Sequence, residues 1–265
     1  MRKFLLSLSV KLQVVLVVGV TVVLAFVISI GFSLFFDIDK LASNTELISA
    51  IYQVMGTIYA ILLTFTLWGV WQKFSEADLS VQHEAYALLN LVHLIEASEQ
   101  WKKISIRKSV QEYISAVMDH LWPAKNATVV LEDTNMLTYG VTLNIIRQIQ
   151  SLNPTNQREL VILNQAFNLM DAWIDARRTR VLLTQGNSAK ALWPLLITGA
   201  LVLFSFHGMF VARTFEIWAS LLFGFSFVIG LTFYLVFTLD APFNGYPRIE
   251  RQPFDLAVDM LNKTI

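Results

Sequence analysis

Residues 47–99 constrain the fold more than any other stretch of the sequence. Between Glu46 and Lys73 lie 26 residues without a formal charge, enough to cross a lipid bilayer as a helix. From Lys73 to Glu99 the sequence is charged and amphipathic, and it contains no proline or glycine to end a helix. The pattern therefore predicts a membrane helix that continues into the cytosol without a break.

The composition of the whole chain also points to the membrane. Hydrophobic residues make up 55% of the sequence and charged residues only 15%, an apolar excess that indicates lipid as a partner. Four uncharged runs of at least 22 residues can each cross the bilayer: 12–36, 47–72, 191–212 and 217–239. The sequence predicts an all-α membrane protein with four transmembrane helices. Its balanced formal charge gives no sign of a nucleic-acid partner.

The positions of lysine and arginine predict the orientation. Arg2, Lys3 and Lys11 flank the first apolar run, whereas the loops after the first and third runs carry only Lys40 and Arg213. The other basic residues lie between the second and third runs or after the fourth, and positive flanks resist translocation. We therefore expect a multi-pass membrane protein with both termini in the cytoplasm.

These features divide the chain into four segments. Residues 1–72 hold membrane helices 1 and 2, 73–190 form a cytosolic helical domain, 191–239 form a membrane hairpin of helices 3 and 4, and 240–265 form a cytosolic tail. Within the cytosolic domain, apolar residues such as Leu88, Leu91 and Ile95 recur three or four positions apart. This spacing predicts a bundle of helices inserted between the second and third membrane helices.

Turn and cap signals predict the helix ends within the cytosolic domain. Residues 122–123, Trp-Pro, end a helix that begins near Trp101, and residues 133–134, Asp-Thr, start the next one. Residues 153–155, Asn-Pro-Thr, end that helix, and a last helix follows over 156–185. The domain is thus predicted to contain four helical pieces, counting the continuation of the second membrane helix.

Three connecting segments carry turn signals as well. The loop 37–46 is short enough to be a tight external turn, with the Asn44-Thr45 pair as a helix cap. Residues 186–188, Gly-Asn-Ser, form a cap before the third membrane helix. After residue 240, Pro242, Pro247 and Pro253 predict an ordered turn or a strap along the cytosolic domain in place of a helix.

One face of the second membrane helix is a candidate pore lining. At about 100° per residue, five small, polar or aromatic residues fall within one sector of the helix. We call this set the polar sector: Gln53, Thr57, Ala60, Thr64 and Trp68, with Trp71 as the alternative last member. Such a stripe can let partly hydrated ions pass without binding them tightly. Small residues also let membrane helices pack closely, so pore lining and helix packing are both open.

Charged residues near the predicted membrane boundary are a second candidate group. Arg177, Arg178, Arg180 and Lys190 precede the third membrane helix, where basic side chains can reach lipid phosphates. Asp240 follows the last membrane helix and opposes its dipole, so it needs a partner. Two sharper alternatives to contact with lipid are open: one of the basic residues draws anions toward a cytosolic mouth, or Arg177 or Arg180 forms a salt bridge or interface contact with Asp240.

Metal, cofactor and enzyme functions have little support in the sequence. The chain has no cysteine, which excludes disulfides and thiolate ligands. His83-Glu84 and the His93, Glu96 pair have spacings that a metal could use, but no further dense group of acids or histidines lies near them in sequence. No nucleophile elbow or phosphate-binding glycine loop is present, so we expect no metal, no cofactor and no enzymatic activity.

Two segments resemble a family of bacterial bestrophin-like membrane proteins, a family remotely related to the bestrophin channels. Residues 59–91 are similar to the second helix of that family, with FSEA at 74–77 and a Glu-Ala pair at 84–85. Residues 239–254, LDAPFNGYPRIERQPF, match its pattern after the last helix, and ARRTRV before Trp193-Pro194 also fits. Relatives often carry a basic residue where this chain has Ala241, so Asp240 would need another basic partner.

The resemblance implies a function as well as a fold. Bestrophins are pentameric ion channels with four membrane helices per subunit, a cytosolic helical domain and a second helix that lines a narrow neck. The resemblance therefore implies a homo-oligomeric passive ion channel of the bacterial inner membrane, with inorganic ions as its cargo and a pentamer as the candidate assembly. The alternative is a membrane-anchored interaction or sensory protein whose cytosolic helices bind a partner.

Overall fold

The computed structural model describes residues 9–35, 43–101, 105–122, 131–184, 191–210, 214–243 and 246–263, except for the side chains of 120–121 and 131–137. The regular elements in these ranges are eight helices. They are α1 (Val10–Ser33), α2 (Thr45–Glu96), α3 (Ile106–Leu121), α4 (Leu131–Gln150), α5 (Gln157–Thr184), α6 (Trp193–His207), α7 (Phe215–Leu239) and α8 (Gln252–Lys263). The prediction of an all-α protein is therefore confirmed.

The chain divides into two compact units. The first, the membrane unit, holds residues 1–72 and 187–240, and the second, the cytosolic unit, holds 73–186 and 241–265. The helix α2 contributes to both, because it runs without a break from Thr45 to Glu96. The name of the second unit follows the orientation expected from the basic residues.

Of the helices in the described ranges, three are long and apolar enough to cross a membrane: α1, α2 and α7. The run predicted over 191–212 instead forms α6, a helix of 15 residues. At about 1.5 Å per residue this helix is roughly 22 Å long, which is shorter than the hydrocarbon core of a bilayer. The regular helix ends at His207, and the expectation that this run forms a fourth membrane crossing remains a prediction.

The helices of the membrane unit pack through close backbone contacts. α1 packs against α6 and α7, and α6 also contacts α7. A Cβ atom built on Gly208 would lie only 2.2 Å from the carbonyl oxygen of Ser29, so only glycine allows this approach. From α2, the hydroxyl of Tyr59 donates to the carbonyl of Leu196 at 2.8 Å and joins α2 to α6.

The cytosolic unit has a continuous apolar core. The end of α2 contributes the residues predicted from their spacing, including Leu88, Leu91 and Ile95, all with 0% exposure. Residues of α3, α4 and α5 complete the core, and α3 packs against α4 while α4 packs against α5. The helix predicted to begin near Trp101 begins at Ile106, and the one predicted from residues 133–134 begins at Leu131.

The C-terminal tail contains a helix that the proline pattern did not predict. Residues 252–263 form α8, with Pro253 in the first turn, where its missing N–H group costs no hydrogen bond. Phe254, Ala257 and Leu261 are buried in the core of the cytosolic unit, and α8 packs against α3. Most of the loop 37–46, the cap at 186–188, Lys190 and Arg213 lie outside the described residues.

Candidate functional site

The polar sector lies on the side of α2 opposite the face that packs within the membrane unit. Tyr59 marks the packed face, because its side chain is buried and bonded to α6. At about 100° per residue, the five sector residues point roughly 100° to 180° away from Tyr59. All five are exposed in the single chain, and Trp68 is 58% exposed.

The two threonines of the polar sector use their donors within the helix. Thr57 Oγ1 donates to the carbonyl of Gln53 at 2.9 Å, and Thr64 Oγ1 donates to the carbonyl of Ala60 at 2.8 Å. Each side chain therefore presents a methyl group and hydroxyl lone pairs to its surroundings. None of the five sector residues carries a formal charge. This surface can tolerate water without holding an ion tightly.

A second exposed stripe of α2 adjoins the polar sector. It consists of bulky apolar side chains, with exposures from 42% to 71%: Ile51, Val54, Ile58, Ile61 and Phe65. Large exposed aliphatic and aromatic groups are suited to lipid tails or to a neighbouring helix. The exposed half of α2 therefore has two chemically different sides, one weakly polar and one apolar.

In the cytosolic unit, Arg180 forms a buried ion pair with Glu84. Arg180 Nε donates to Glu84 Oε2 at 2.5 Å, and Nη2 donates to Oε1 at 2.9 Å. The two side chains are 1% and 0% exposed, respectively. A guanidinium and a carboxylate in this two-pronged geometry give strong, directional hydrogen bonds that join α5 to α2.

Tyr113 on α3 completes this cluster. Its hydroxyl donates to Glu84 Oε1 at 2.5 Å, and its ring packs edge-on against Trp173 of α5. Burial and the nearby carboxylate raise the pKa of Tyr113 above its usual value, so the phenol stays protonated and remains a donor. Burial would lower the pKa of Arg180, but the charge of Glu84 raises it overall, so the guanidinium keeps its charge.

The arginines near the membrane boundary have different surroundings. The interpretation that Arg180 reaches lipid phosphates is wrong, because its side chain is buried against Glu84. Arg177 is partly buried, and its Nη2 donates to Thr138 Oγ1 at 3.3 Å, whereas Arg178 is exposed. Asp240 is 2% exposed and belongs to the membrane unit. A contact between Asp240 and these arginines remains a prediction.

The residues considered for a metal site are separated or engaged elsewhere. Glu84 pairs with Arg180, and Glu96 accepts a hydrogen bond from Arg107 Nε at 2.8 Å. His83 and His93 are exposed on the surface of α2. Among the described residues, no three histidine, cysteine, aspartate or glutamate side chains gather where they could hold a metal ion.

His207, which lies in the third apolar run, is buried at the end of α6. Its Nε2 atom lies 3.5 Å from the carbonyl of Trp218, and Trp218 Nε1 donates to the carbonyl of His207 at 3.3 Å. Tyr52 and Phe210 also lie against the imidazole, with ring centroids 6.1 and 6.0 Å away. These contacts join α6 to α7 within the membrane unit.

Sequence patterns did not predict the cluster of Glu84, Arg180 and Tyr113, although the sequence contained a signal that Glu84 is buried. Glu84 falls at the three- and four-residue spacing of Val81, Leu88 and Leu91, so it occupies a core position on α2. A carboxylate at such a position needs a buried partner. The sequence did not show which residue is that partner, because Arg180 lies 96 positions from Glu84 along the chain.

Comparisons with known proteins agree with this architecture. A crystal structure of a bacterial bestrophin homologue from Klebsiella pneumoniae, a single-residue variant, has a TM-score of 0.64 and 14% identity and covers 95% of this chain and 97% of its own. A second crystal structure, described as a membrane protein, has a TM-score of 0.67 and 14% identity and covers 95% and 99%. No curated protein matches the sequence. The Bestrophin-like domain matches residues 19–254, and the chain therefore belongs to the Bestrophin-like family.

Proposed function

We propose that this protein is a subunit of an oligomeric passive ion channel in the bacterial inner membrane, with α2 lining the pore. Membership of the Bestrophin-like family and the shared fold with a bacterial bestrophin homologue support a channel function. The observation that carries the pore assignment is the exposure of Gln53, Thr57, Ala60, Thr64 and Trp68 on one side of α2, facing away from the rest of the membrane unit.

A pore built in this way requires several copies of the chain. One exposed helix face cannot enclose an aqueous path, whereas copies related by rotation about a common axis bring the same face of each α2 to that axis. The family resemblance makes a pentamer the state to test first. The apolar stripe of Ile51, Val54, Ile58, Ile61 and Phe65 would then face lipid or the neighbouring subunit.

The weakly polar lining suits passive conduction. Conduction requires that an ion enter readily and also leave readily, so strong binding groups in the narrow part of a path slow it. Thr57 and Thr64 offer hydroxyl oxygens whose donors are already used within the helix. In this proposal four helices, α1, α2, α6 and α7, make up the membrane part of each subunit, and both termini lie in the cytoplasm.

The test is conductance of the purified protein in planar lipid bilayers. Thr64→Leu and Thr57→Leu replace a weakly polar side chain by a bulkier apolar one in the proposed lining, so each should lower the single-channel conductance by roughly twofold or more. Thr232→Leu is the matched control. Thr232 lies on α7 and makes the same bond to the carbonyl four residues earlier, at 3.0 Å, but lies outside the polar sector.

Three results would overturn the proposal. The first is pure protein that does not conduct, and the second is a conductance that Thr64→Leu and Thr57→Leu leave unchanged. The third is a monomeric particle, measured as the mass of the detergent-solubilised protein, because one α2 cannot form a central pore. A monomer would favour the alternative function, in which the cytosolic helices bind a partner and the polar sector serves packing.

A further inference from the structure

One stripe of α5 carries three polar or charged side chains into the interior of the cytosolic unit. Trp173, Arg177 and Arg180 are spaced four and three residues apart, so they lie along the same side of the helix. Their contacts show which helices they meet. Trp173 and Arg180 contact Tyr113 of α3, and Arg177 contacts Thr138 of α4.

The charges along this stripe do not balance. Arg180 is neutralised by Glu84, with two hydrogen bonds between the groups. Arg177 has a hydrogen bond to the Thr138 hydroxyl at 3.3 Å, but within the described part of the chain it has no carboxylate within salt-bridge distance. Among the side chains that the structure describes, the cluster therefore holds two guanidinium groups and one carboxylate.

Two buried donors of the same stripe also lack acceptors. Arg177 Nε and Trp173 Nε1 are both shielded from solvent, and neither has a hydrogen-bond partner among the described residues. Trp173 is 0% exposed as a whole. A buried N–H group without an acceptor costs free energy, and native proteins usually satisfy such groups with protein, water or an ion. Both of these atoms are donors, so the missing group must be an acceptor.

From this arrangement we propose that Arg177 and Trp173 bind a small inorganic monovalent anion, of the size and charge of chloride. A single anion would accept from Arg177 Nε and Trp173 Nε1 and would neutralise the charge that Glu84 leaves uncompensated. A water molecule could accept both hydrogen bonds but would leave the charge unbalanced. The two residues are one helical turn apart, which suits a small ion better than an extended ligand.

One contact positions each of the two side chains of this site. The bond from Nη2 to Thr138 orients the Arg177 guanidinium, and the edge-on contact with Tyr113 holds the Trp173 indole. Arg177 as a whole is only partly buried, although its Nε atom is shielded, so the site lies close to the surface of the cytosolic unit. The site lies wholly in the cytosolic unit and does not depend on whether the polar sector of α2 lines a pore.

The test is thermal unfolding of the full-length protein in detergent, at constant ionic strength, as chloride replaces gluconate. A ligand that binds the folded state raises the unfolding midpoint in a saturable way. We expect this rise in the wild type, and we expect Arg177→Gln to weaken the apparent affinity for chloride by tenfold or more. Trp173→Phe, which keeps an aromatic ring but removes the N–H donor, should weaken it by several-fold. Arg178→Gln, at an exposed neighbour, should leave the affinity unchanged.

A second measurement tests the position of the ion directly and does not need the variants to fold. Crystals of the wild-type protein grown with bromide should show an anomalous peak within hydrogen-bonding distance of Arg177 Nε and Trp173 Nε1. The absence of that peak, or a midpoint that chloride does not move, would overturn the proposal. The proposal would also be overturned if the unfolding midpoint rose only at molar chloride, or rose equally with sulfate or acetate. The same holds if Arg177→Gln and Trp173→Phe both responded to chloride as the wild type does.

Discussion

The two units satisfy their polar side chains in different ways. In the membrane unit, hydroxyl groups mostly bond to a carbonyl of their own helix, as Thr21 does to Val17 at 2.8 Å and Thr64 to Ala60 at 2.8 Å. In the cytosolic unit, side chains bridge different helices, and the Arg180–Glu84 pair joins α5 to α2. In the membrane unit, hydroxyl groups are therefore mostly satisfied within their own helix. In the cytosolic unit, polar and charged side chains join helices that are far apart in the sequence.

This difference follows from the solvent around each unit. Lipid tails are as apolar as leucine, so burying apolar side chains contributes little to the association of membrane helices. Close packing of the helices supplies the stabilisation instead. Gly208 against Ser29 is such a contact, and the Ser29 hydroxyl also donates to the carbonyl of Phe204 at 2.6 Å. In water, the burial of apolar surface drives the helices together. A buried ion pair is then formed within a core that the hydrophobic effect already stabilises.

The largest expected effect is the loss of the buried ion pair in the cytosolic unit. Glu84→Gln leaves the Arg180 guanidinium buried without a countercharge, since both side chains are at most 1% exposed. Breaking such a pair costs about 3–5 kcal/mol of unfolding free energy. The measurement is the denaturant dependence of unfolding of the full chain in detergent, followed by tryptophan fluorescence.

The matched control removes both charges. The double variant Glu84→Leu with Arg180→Met, built together with Tyr113→Phe so that no buried hydroxyl loses its acceptor, replaces the pair by apolar side chains. Such replacements are often close to neutral in stability. It should therefore be more stable than Glu84→Gln alone. Should Glu84→Gln cost less than about 1 kcal/mol, or should the double variant be the less stable of the two, the pair would not have the structural importance that its burial implies.

A somewhat smaller effect is expected from the close packing of the membrane unit. Gly208→Ala places a methyl group 2.2 Å from the Ser29 carbonyl oxygen, so the α1–α6 contact must open. Overpacking of this kind costs about 1–3 kcal/mol. Gly224→Ala on α7 is the control, because a Cβ there meets nothing within 4 Å and alanine favours the helix.

Thermal melting of the detergent-solubilised protein separates these two glycine substitutions. Gly208→Ala should lower the melting midpoint, and Gly224→Ala should leave it unchanged or raise it slightly. Equal midpoints for the two variants would show that close approach at Gly208 does not limit the stability of the membrane unit. Comparison of Gly208→Ala with Glu84→Gln then tests whether close backbone packing stabilises the membrane unit while a buried ion pair stabilises the cytosolic unit.

Local signals in the sequence predicted most of the helices. The absence of proline and glycine from Lys73 to Glu99 predicted that the second membrane helix continues, and α2 runs to Glu96. The Asn-Pro-Thr turn at 153–155 predicted the break between α4, which ends at Gln150, and α5, which begins at Gln157. These features depend on residues close in sequence, so a single chain is enough to read them.

Features that depend on distant residues or on context were not predictable. Pro253 was interpreted as a helix breaker, but a proline in the first turn is compatible with a helix, and α8 begins at Gln252. The partner of Arg180 lies on another helix, and periodicity alone does not pair helices. For the polar sector, periodicity placed five residues on one side of α2, but only the packing of Tyr59 on α6 showed that this side is exposed.

The smallest effect concerns the start of α5, where Glu159 caps the helix. The backbone N–H and the hydroxyl of Thr155 both donate to Glu159 Oε2 at 2.8 Å, and Ser98 donates to Oε1 at 3.1 Å. These hydrogen bonds lower the pKa of Glu159 in the folded state. Its contribution to stability is therefore present above the pKa of an unfolded glutamate, near 4.3, and is lost as the pH falls through the lower, folded value.

Glu159→Gln tests this pH dependence, because glutamine keeps an acceptor oxygen but not the charge. The wild type should be slightly more stable than the variant at pH 7, and the difference should shrink as the pH falls below about 4. The exposed Glu112→Gln, where Glu112 lies 3.9 Å from Lys108, is the control and should show a smaller difference at pH 7. A difference between wild type and Glu159→Gln that stays constant down to acid pH would mean that the charge on Glu159 does not stabilise the helix. In that case the hydrogen bonds from Thr155 and Ser98 would stabilise the start of α5 through their geometry alone.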